Sequence, residues 1–147
     1  MNSFGVRADS ELQATLRTFA SQTVERKASE FVFHQGETPH GCYFVKSGKM
    51  RLSMESSTGH TIMEWAVGQG CLVGLPATIN GRAYSLTCEV VEDAQLVYLS
   101  RQDLALMMKS ETAAAMKLLD ILSSEIQAVR SELATTSASA PHLSYQH

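Results

Sequence analysis

Apolar and polar positions alternate in short runs across residues 23–99, and most runs are closed by turn residues; this period of two predicts an all-β region. Phe31–Phe33 ends at Gln35-Gly36-Glu37 and 42–45 ends at Lys46-Ser47-Gly48, while 50–54 turns through Ser57-Thr58-Gly59 into 61–65. Segments 85–90 and 95–99 resume the pattern on either side of an expected acidic turn at Glu92-Asp93. Strands of about five residues with turns every eight to twelve predict a barrel or sandwich rather than an α/β sheet. The interruption at 74–80 places Pro76 where a first helical turn tolerates it, and predicts one turn of helix.

Helical spacing flanks this region. Leu12, Leu16 and Phe19 share one face of a short helix over Ser10–Phe19 that reads as a lid. Ser100 with Asp103 three residues on reads as a capping box opening a second short helix. Residues 111–134 contain neither Pro nor Gly, so a helix of about 36 Å can run there. Within it Thr112, Ala115, Leu119, Leu122, Ile126, Val129 and Leu133 repeat at alternating spacings of three and four, a seam that seeks a second helix and predicts a homodimer. Leu118 and Ile121 form a parallel stripe expected to pack on the β-region. The organisation predicted is one domain over 1–134, including the dimerisation helix 111–134, and a flexible tail over 135–147.

Composition narrows the function. The 147 residues are 44% apolar and 18% charged with a formal net charge of -3, ordinary for one soluble domain and without the basic excess of a nucleic-acid or anionic-membrane binder. No run reaches the roughly 18–20 apolar residues of a spanning helix and the N-terminus lacks a signal-peptide pattern, so the expected location is the cytoplasm. Cys42, Cys71 and Cys88 are odd in number and widely spaced, which predicts reduced, buried thiols. The five histidines show no pairing that would put two ligands on one helical face, and no nucleophile elbow or carboxylate pair appears, so neither a metal site nor an enzyme is expected.

Two short motifs carry a family resemblance. Phe33-His34-Gln35-Gly36-Glu37 is similar to a Phe-x-x-Gly-Glu turn, and 43–52, Tyr-Phe-Val-Lys-Ser-Gly-Lys-Met-Arg-Leu, to a strand-Gly-strand hairpin; both occur in the cyclic-nucleotide-binding domain of the catabolite-activator and fumarate-nitrate-regulator family. The resemblance implies a mainly β fold with flanking helices: a cyclic-nucleotide-binding-like β-roll, or double-stranded β-helix, with a long C-terminal dimerisation helix. It also implies a phosphate-binding cassette over 73–87, with the ligand-contacting positions at Gly74, Leu75, Pro76, Ala77, Arg82, Tyr84, Ser85 and Thr87. Leu75 and Tyr84 occupy the positions where the family carries its ribose-binding Glu and phosphate-binding Arg, and Arg82 lies two residues before the latter. Ser123 and Ser124 fall where the family's long helix faces the nucleobase.

Three readings follow from the divergent cassette. The leading one is a non-enzymatic effector-sensing regulatory domain, dimeric through Ala115, Leu119, Leu122, Ile126, Val129 and Leu133, that does not bind cyclic AMP tightly. The second is a ligand-free structural or adaptor module whose pocket is plugged by Leu75 and Tyr84. The third is a genuine cyclic-nucleotide binder that uses Arg82 and backbone amides. The ligand class implied is a cyclic nucleotide or another small anionic effector, with no further cofactor. Thirteen residues beyond Ala134 are too few for a recognition helix, so no direct DNA contact by this chain is expected. The chain fits either a free-standing sensor or the N-terminal part of a longer regulator.

Overall fold

A computed structural model describes the backbone of residues 2–3 and 7–138 and the side chains of residues 7–135. In chain order the elements are β1 (Asn2–Ser3), α1 (Ser10–Phe19), β2 (Gln22–Arg26), β3 (Phe31–Phe33), β4 (Gly41–Glu55), β5 (Thr61–Val67) and β6 (Leu72–Val73). They continue with α2 (Leu75–Asn80), β7 (Thr87–Ser100), α3 (Arg101–Ser110) and α4 (Thr112–Ala138). The sheet runs β1-β5-β4-β7-β2, with β3 also on β7 and β6 also on β4. It is antiparallel apart from the parallel β1–β5 pair, and forms the expected β-roll with flanking helices.

The predicted turns at Gly48 and at Glu92-Asp93 are bends inside continuous strands. β4 and β7 pair from Gly41↔Ser100 to Ser53↔Thr87, and the register shifts between Val45 and Met50 absorb the change of direction. Gly48 sits at the bend with φ +99°, and a Cβ there would lie 2.5 Å from the Asp93 carbonyl oxygen. Gly48→Ala therefore meets both an unfavourable backbone region and a backbone clash, and should lower the urea midpoint by the equivalent of about 2 kcal/mol or more. An unchanged midpoint would contradict this account of the bend.

Alternation across the strands builds two cores. Tyr43, Val45, Met50, Leu52, Trp65 and Leu96 point into the roll, whereas Cys42, Phe44, Val97 and Leu99 face the helices. The helical layer is completed by Leu12 and Leu16 of α1, Leu104 and Met107 of α3, and Ala114, Leu118 and Ile121 of α4. The lid over one face of the sheet is thus α1, α3 and α4 together rather than α1 alone. Asp9 caps α1 by accepting from the Leu12 amide at 2.8 Å. The Ser100–Asp103 capping box forms as predicted, both of its hydrogen bonds at 3.0 Å, and the Ser21 hydroxyl also donates to Asp103. All three cysteines are buried and none is in a disulfide, and burial pushes the Cys42 thiol up to about 12, which keeps it protonated.

The long helix has the two faces expected of it. Ala114, Leu118 and Ile121 are buried against the fold, while Met116, Leu119, Ile126 and Leu133 stand outward at 61, 52, 57 and 44% exposure. Ala115, Leu122 and Val129 lie half-buried along the border between the faces. Helix α4 continues to Ala138, past the end expected at Ala134; the rest of the expected tail, 139–147, lies outside the described residues. Among the described residues no helix is long and apolar enough to cross a membrane.

Candidate effector site

The chain leaves β6 at Val73 and turns sharply at Gly74, whose φ of +82° starts α2. A Cβ at Gly74 would meet the Tyr84 and Phe33 rings at 3.1 and 3.2 Å, so glycine also allows this turn to sit against the aromatic pair. The Tyr84 and Phe33 rings are stacked with centroids 4.0 Å apart. The Tyr84 hydroxyl donates to the Gly41 carbonyl at 2.6 Å and accepts from the His40 and Gly41 amides at 3.3 Å. Burial raises this phenol above its ordinary value, so it stays neutral. The Phe-x-x-Gly-Glu turn holds the same segment from the other side: the Gly36 amide donates to the Tyr84 carbonyl, and the Tyr84 amide to the Glu37 carbonyl.

A cavity of about 330 Å³ opens between this segment and α4. Phe33, Leu52, Met54, Val73, Leu86 and Tyr84 wall it with apolar surface; Gly74, Pro76, Ala77 and Ser85 form its edge. Glu125, Ile126, Val129 and Arg130 of α4 cover it from the helix side. Glu125 is only 7% exposed and makes no hydrogen bond or ion pair among the described residues. Burial pushes its carboxyl up to about 8, so the side chain is predominantly neutral at pH 7. Arg130 stands exposed at the rim, also without an ion-pair partner among the described residues.

The cavity takes in some of the sequence-predicted positions and omits others. Gly74, Pro76, Ala77, Tyr84 and Ser85 line it. Leu75 does not plug it: the side chain is fully buried in the helical core with Leu12, Leu16 and Phe44. One step along a helix turns a side chain by about 100° and two by about 200°, which sends Leu75 to a different side from Pro76 and Ala77. A glutamate at position 75 would accordingly bury its charge in that core. Tyr84 forms part of the wall and leaves the cavity open. Arg82 lies exposed outside it, its amide bound by the Asn80 side chain at 2.8 Å. Thr87 is buried outside it, its hydroxyl accepting from the Gln35 amide at 2.9 Å.

Ser123 is exposed on the outer side of α4, and the Ser124 hydroxyl donates back to the Asp120 carbonyl at 3.1 Å, so neither lines the cavity. Ile126 and Val129, read from the sequence as seam residues, line it as well. Glu125 and Arg130 were missed. The signal for Glu125 was present, because 114, 118, 121 and 125 continue the inward spacing of four and three, and a glutamate stands where that stripe asks for an apolar residue. Among the described residues no group of three or more His, Cys, Asp or Glu is placed to hold a metal ion.

The profile of the family described as "Cyclic nucleotide-binding domain" matches residues 23–111, and the chain belongs to that family. The catabolite activator protein of Thermus thermophilus has a similar fold, with a TM-score of 0.76 and 24% identity over 88% of this chain and 60% of that one. So does the sensor domain of the transcriptional regulator DNR from Pseudomonas aeruginosa, with a TM-score of 0.61 and 18% identity over 93% and 87% of the two chains. Among curated proteins, mouse patatin-like phospholipase domain-containing protein 7 is 30% identical over 55% of this chain. That match spans only 6% of the mouse protein's length.

Proposed function

We propose that this chain is a non-catalytic effector-sensing domain that works as a homodimer and reports occupancy of its cavity through α4. The observation that carries the reading is that one helix bounds both features. Ile126 lines the cavity and is also 57% exposed on the outward face, with Val129 beside it. A ligand seated against Glu125, Ile126 and Val129 meets the helix that forms the proposed dimer seam, so it favours whichever helix position fits it best. The outward face continues beyond the cavity through Met116, Leu119 and Leu133, which suits a second α4 packed along it.

The same geometry argues against tight binding of a cyclic nucleotide. Neither of the family's charged anchors is present: Leu75 belongs to another core and Tyr84 spends its hydroxyl on the backbone around Gly41. Arg82, the substitute considered from the sequence, stands outside the cavity. Each charge-assisted hydrogen bond lost from a phosphate costs about 1.5–3 kcal/mol. Cyclic AMP and cyclic GMP at about 100 µM are expected to leave the melting temperature unchanged. A ligand binding only the folded state at 100 times its Kd would stabilise it by about 2.7 kcal/mol, easily seen in such a titration. A clear rise with either nucleotide would overturn this part of the reading.

A further inference from the structure

We propose that the cavity takes a hydrophobic carboxylic acid, its apolar body on the Phe33, Leu52, Met54 and Val129 walls and its carboxylate held by the Glu125 carboxyl and the Arg130 guanidinium. The inference rests on the effector-site reading above and names the ligand's chemistry. The walls offer almost nothing to a polar body, so the bulk of the ligand is apolar. Two polar groups of the lining have no protein partner among the described residues: the carboxyl of Glu125, a residue only 7% exposed whose oxygens still reach accessible space, and the exposed Arg130 guanidinium at the rim. Both stand on α4, five residues apart, which is about 7.5 Å along the helix axis and about 140° around it, and both border the cavity, so a ligand head group at the rim has one on either side.

Charge decides which head group suits the pair. Glu125 is predominantly protonated at pH 7, because burial holds its carboxyl near 8, and it then presents an O–H donor; Arg130 presents N–H donors and a positive charge. A carboxylate accepts from both, in the short charge-assisted hydrogen bonds that such groups favour. An ammonium head would have to ionise Glu125 first and would still face Arg130. The other titratable groups facing Glu125 are neutral: the Cys42 thiol of β4, held near 12 by burial, and the Tyr84 phenol, also raised and bound to the Gly41 carbonyl. The pH response of binding therefore belongs to Glu125.

The test uses three molecules with one body: 4-phenylbutanoate, 4-phenylbutanamide and 4-phenylbutylamine, titrated calorimetrically into the whole chain at pH 6.5 and pH 9. The acid is expected to bind tightest at pH 6.5 and about tenfold more weakly at pH 9, where about a tenth of Glu125 remains protonated although the ligand is ionised at both. Glu125→Gln keeps an N–H donor and should make acid binding independent of pH, while Arg130→Gln should weaken it about tenfold at both values. Binding of the acid that is flat with pH in the unmodified protein, or an amine that binds more tightly than the acid, overturns the proposal and leaves the effector site standing. Absence of acid binding at about 5 mM also overturns it. Xenon, which enters open apolar cavities, then separates the two readings. Shifted methyl signals at Met54 and Val129 confine the failure to the ligand class, and unshifted ones remove the effector site as well.

Discussion

At pH 8 the Glu125→Gln protein is expected to be more stable than the unmodified protein by about 3.5 kcal/mol, and at pH 4 the order should reverse by up to about 1 kcal/mol. The effect originates in one carboxyl that α4 carries into an apolar cavity without a partner among the described residues. In the unfolded chain a glutamate ionises near 4.3, whereas in the fold Glu125 is held up to about 8. Between those values the folded state binds more protons than the unfolded one, so stability falls as pH rises, and the loss is complete above the folded value. The rise from 4.3 to about 8 is worth about 5 kcal/mol, slightly less at pH 8 where half of the folded carboxyl is still protonated, and a glutamine amide left short of partners costs about 1 at every pH. Urea midpoints of both proteins across pH 4–9 measure the effect. Parallel profiles would mean that the carboxyl is solvated or paired, and would remove the basis for its role in the cavity.

Two neighbouring leucines on α4 should behave in opposite ways. Leu118 is fully buried between α4, α1 and α3, beside Leu12, Leu16, Leu104 and Met107. Leu118→Ala deletes apolar volume from that core and should cost about 2–5 kcal/mol, read as a lower urea midpoint. Leu119, one residue further, is 52% exposed on the face with Met116, Ile126 and Leu133. Leu119→Glu should leave the fold intact within about 0.5 kcal/mol for the monomer, as surface substitutions generally do. It should also shift sedimentation from dimer to monomer at micromolar concentration, because facing copies would bring like charges into an apolar seam. A Leu119→Glu protein that unfolds, or that remains as dimeric as the parent, would contradict the assignment of the two faces.

These faces were legible in the sequence because helical spacing alone separates them: 115, 119, 122, 126, 129 and 133 outward or bordering, 118 and 121 inward. The β-roll was legible for the same kind of reason, the period of two surviving in Met50, Leu52 and Met54 and in Met63, Trp65 and Val67. The continuity of β4 and β7 was not, because a Gly-containing bend inside a strand and a Gly-containing turn between strands use the same residues; only the long-range pairing of Gly41 through Ser53 with β7 tells them apart. Five of the cassette positions read from the sequence, Gly74, Pro76, Ala77, Tyr84 and Ser85, line the cavity, but alignment gives a position and not a direction. Leu75 and Arg82 therefore looked like site residues while α2 and the loop after it turn them elsewhere. Glu125 was overlooked because glutamate on a helix is usually a solvent residue, and its inward position follows only once Ala114, Leu118 and Ile121 are known to be buried.

The coupling of cavity to helix is the central claim, and thermodynamic reciprocity makes it measurable: a ligand that distinguishes two helix positions changes subunit affinity by the same factor that dimerisation changes ligand affinity. The direct measurement is the dimer dissociation constant by sedimentation, with and without 4-phenylbutanoate at a concentration that calorimetry shows to saturate the cavity. The account predicts a change of about fivefold or more, since the Ile126 and Val129 wall borders the outward face proposed as the seam. An unchanged constant with the cavity filled, or a chain that is monomeric throughout, would contradict it.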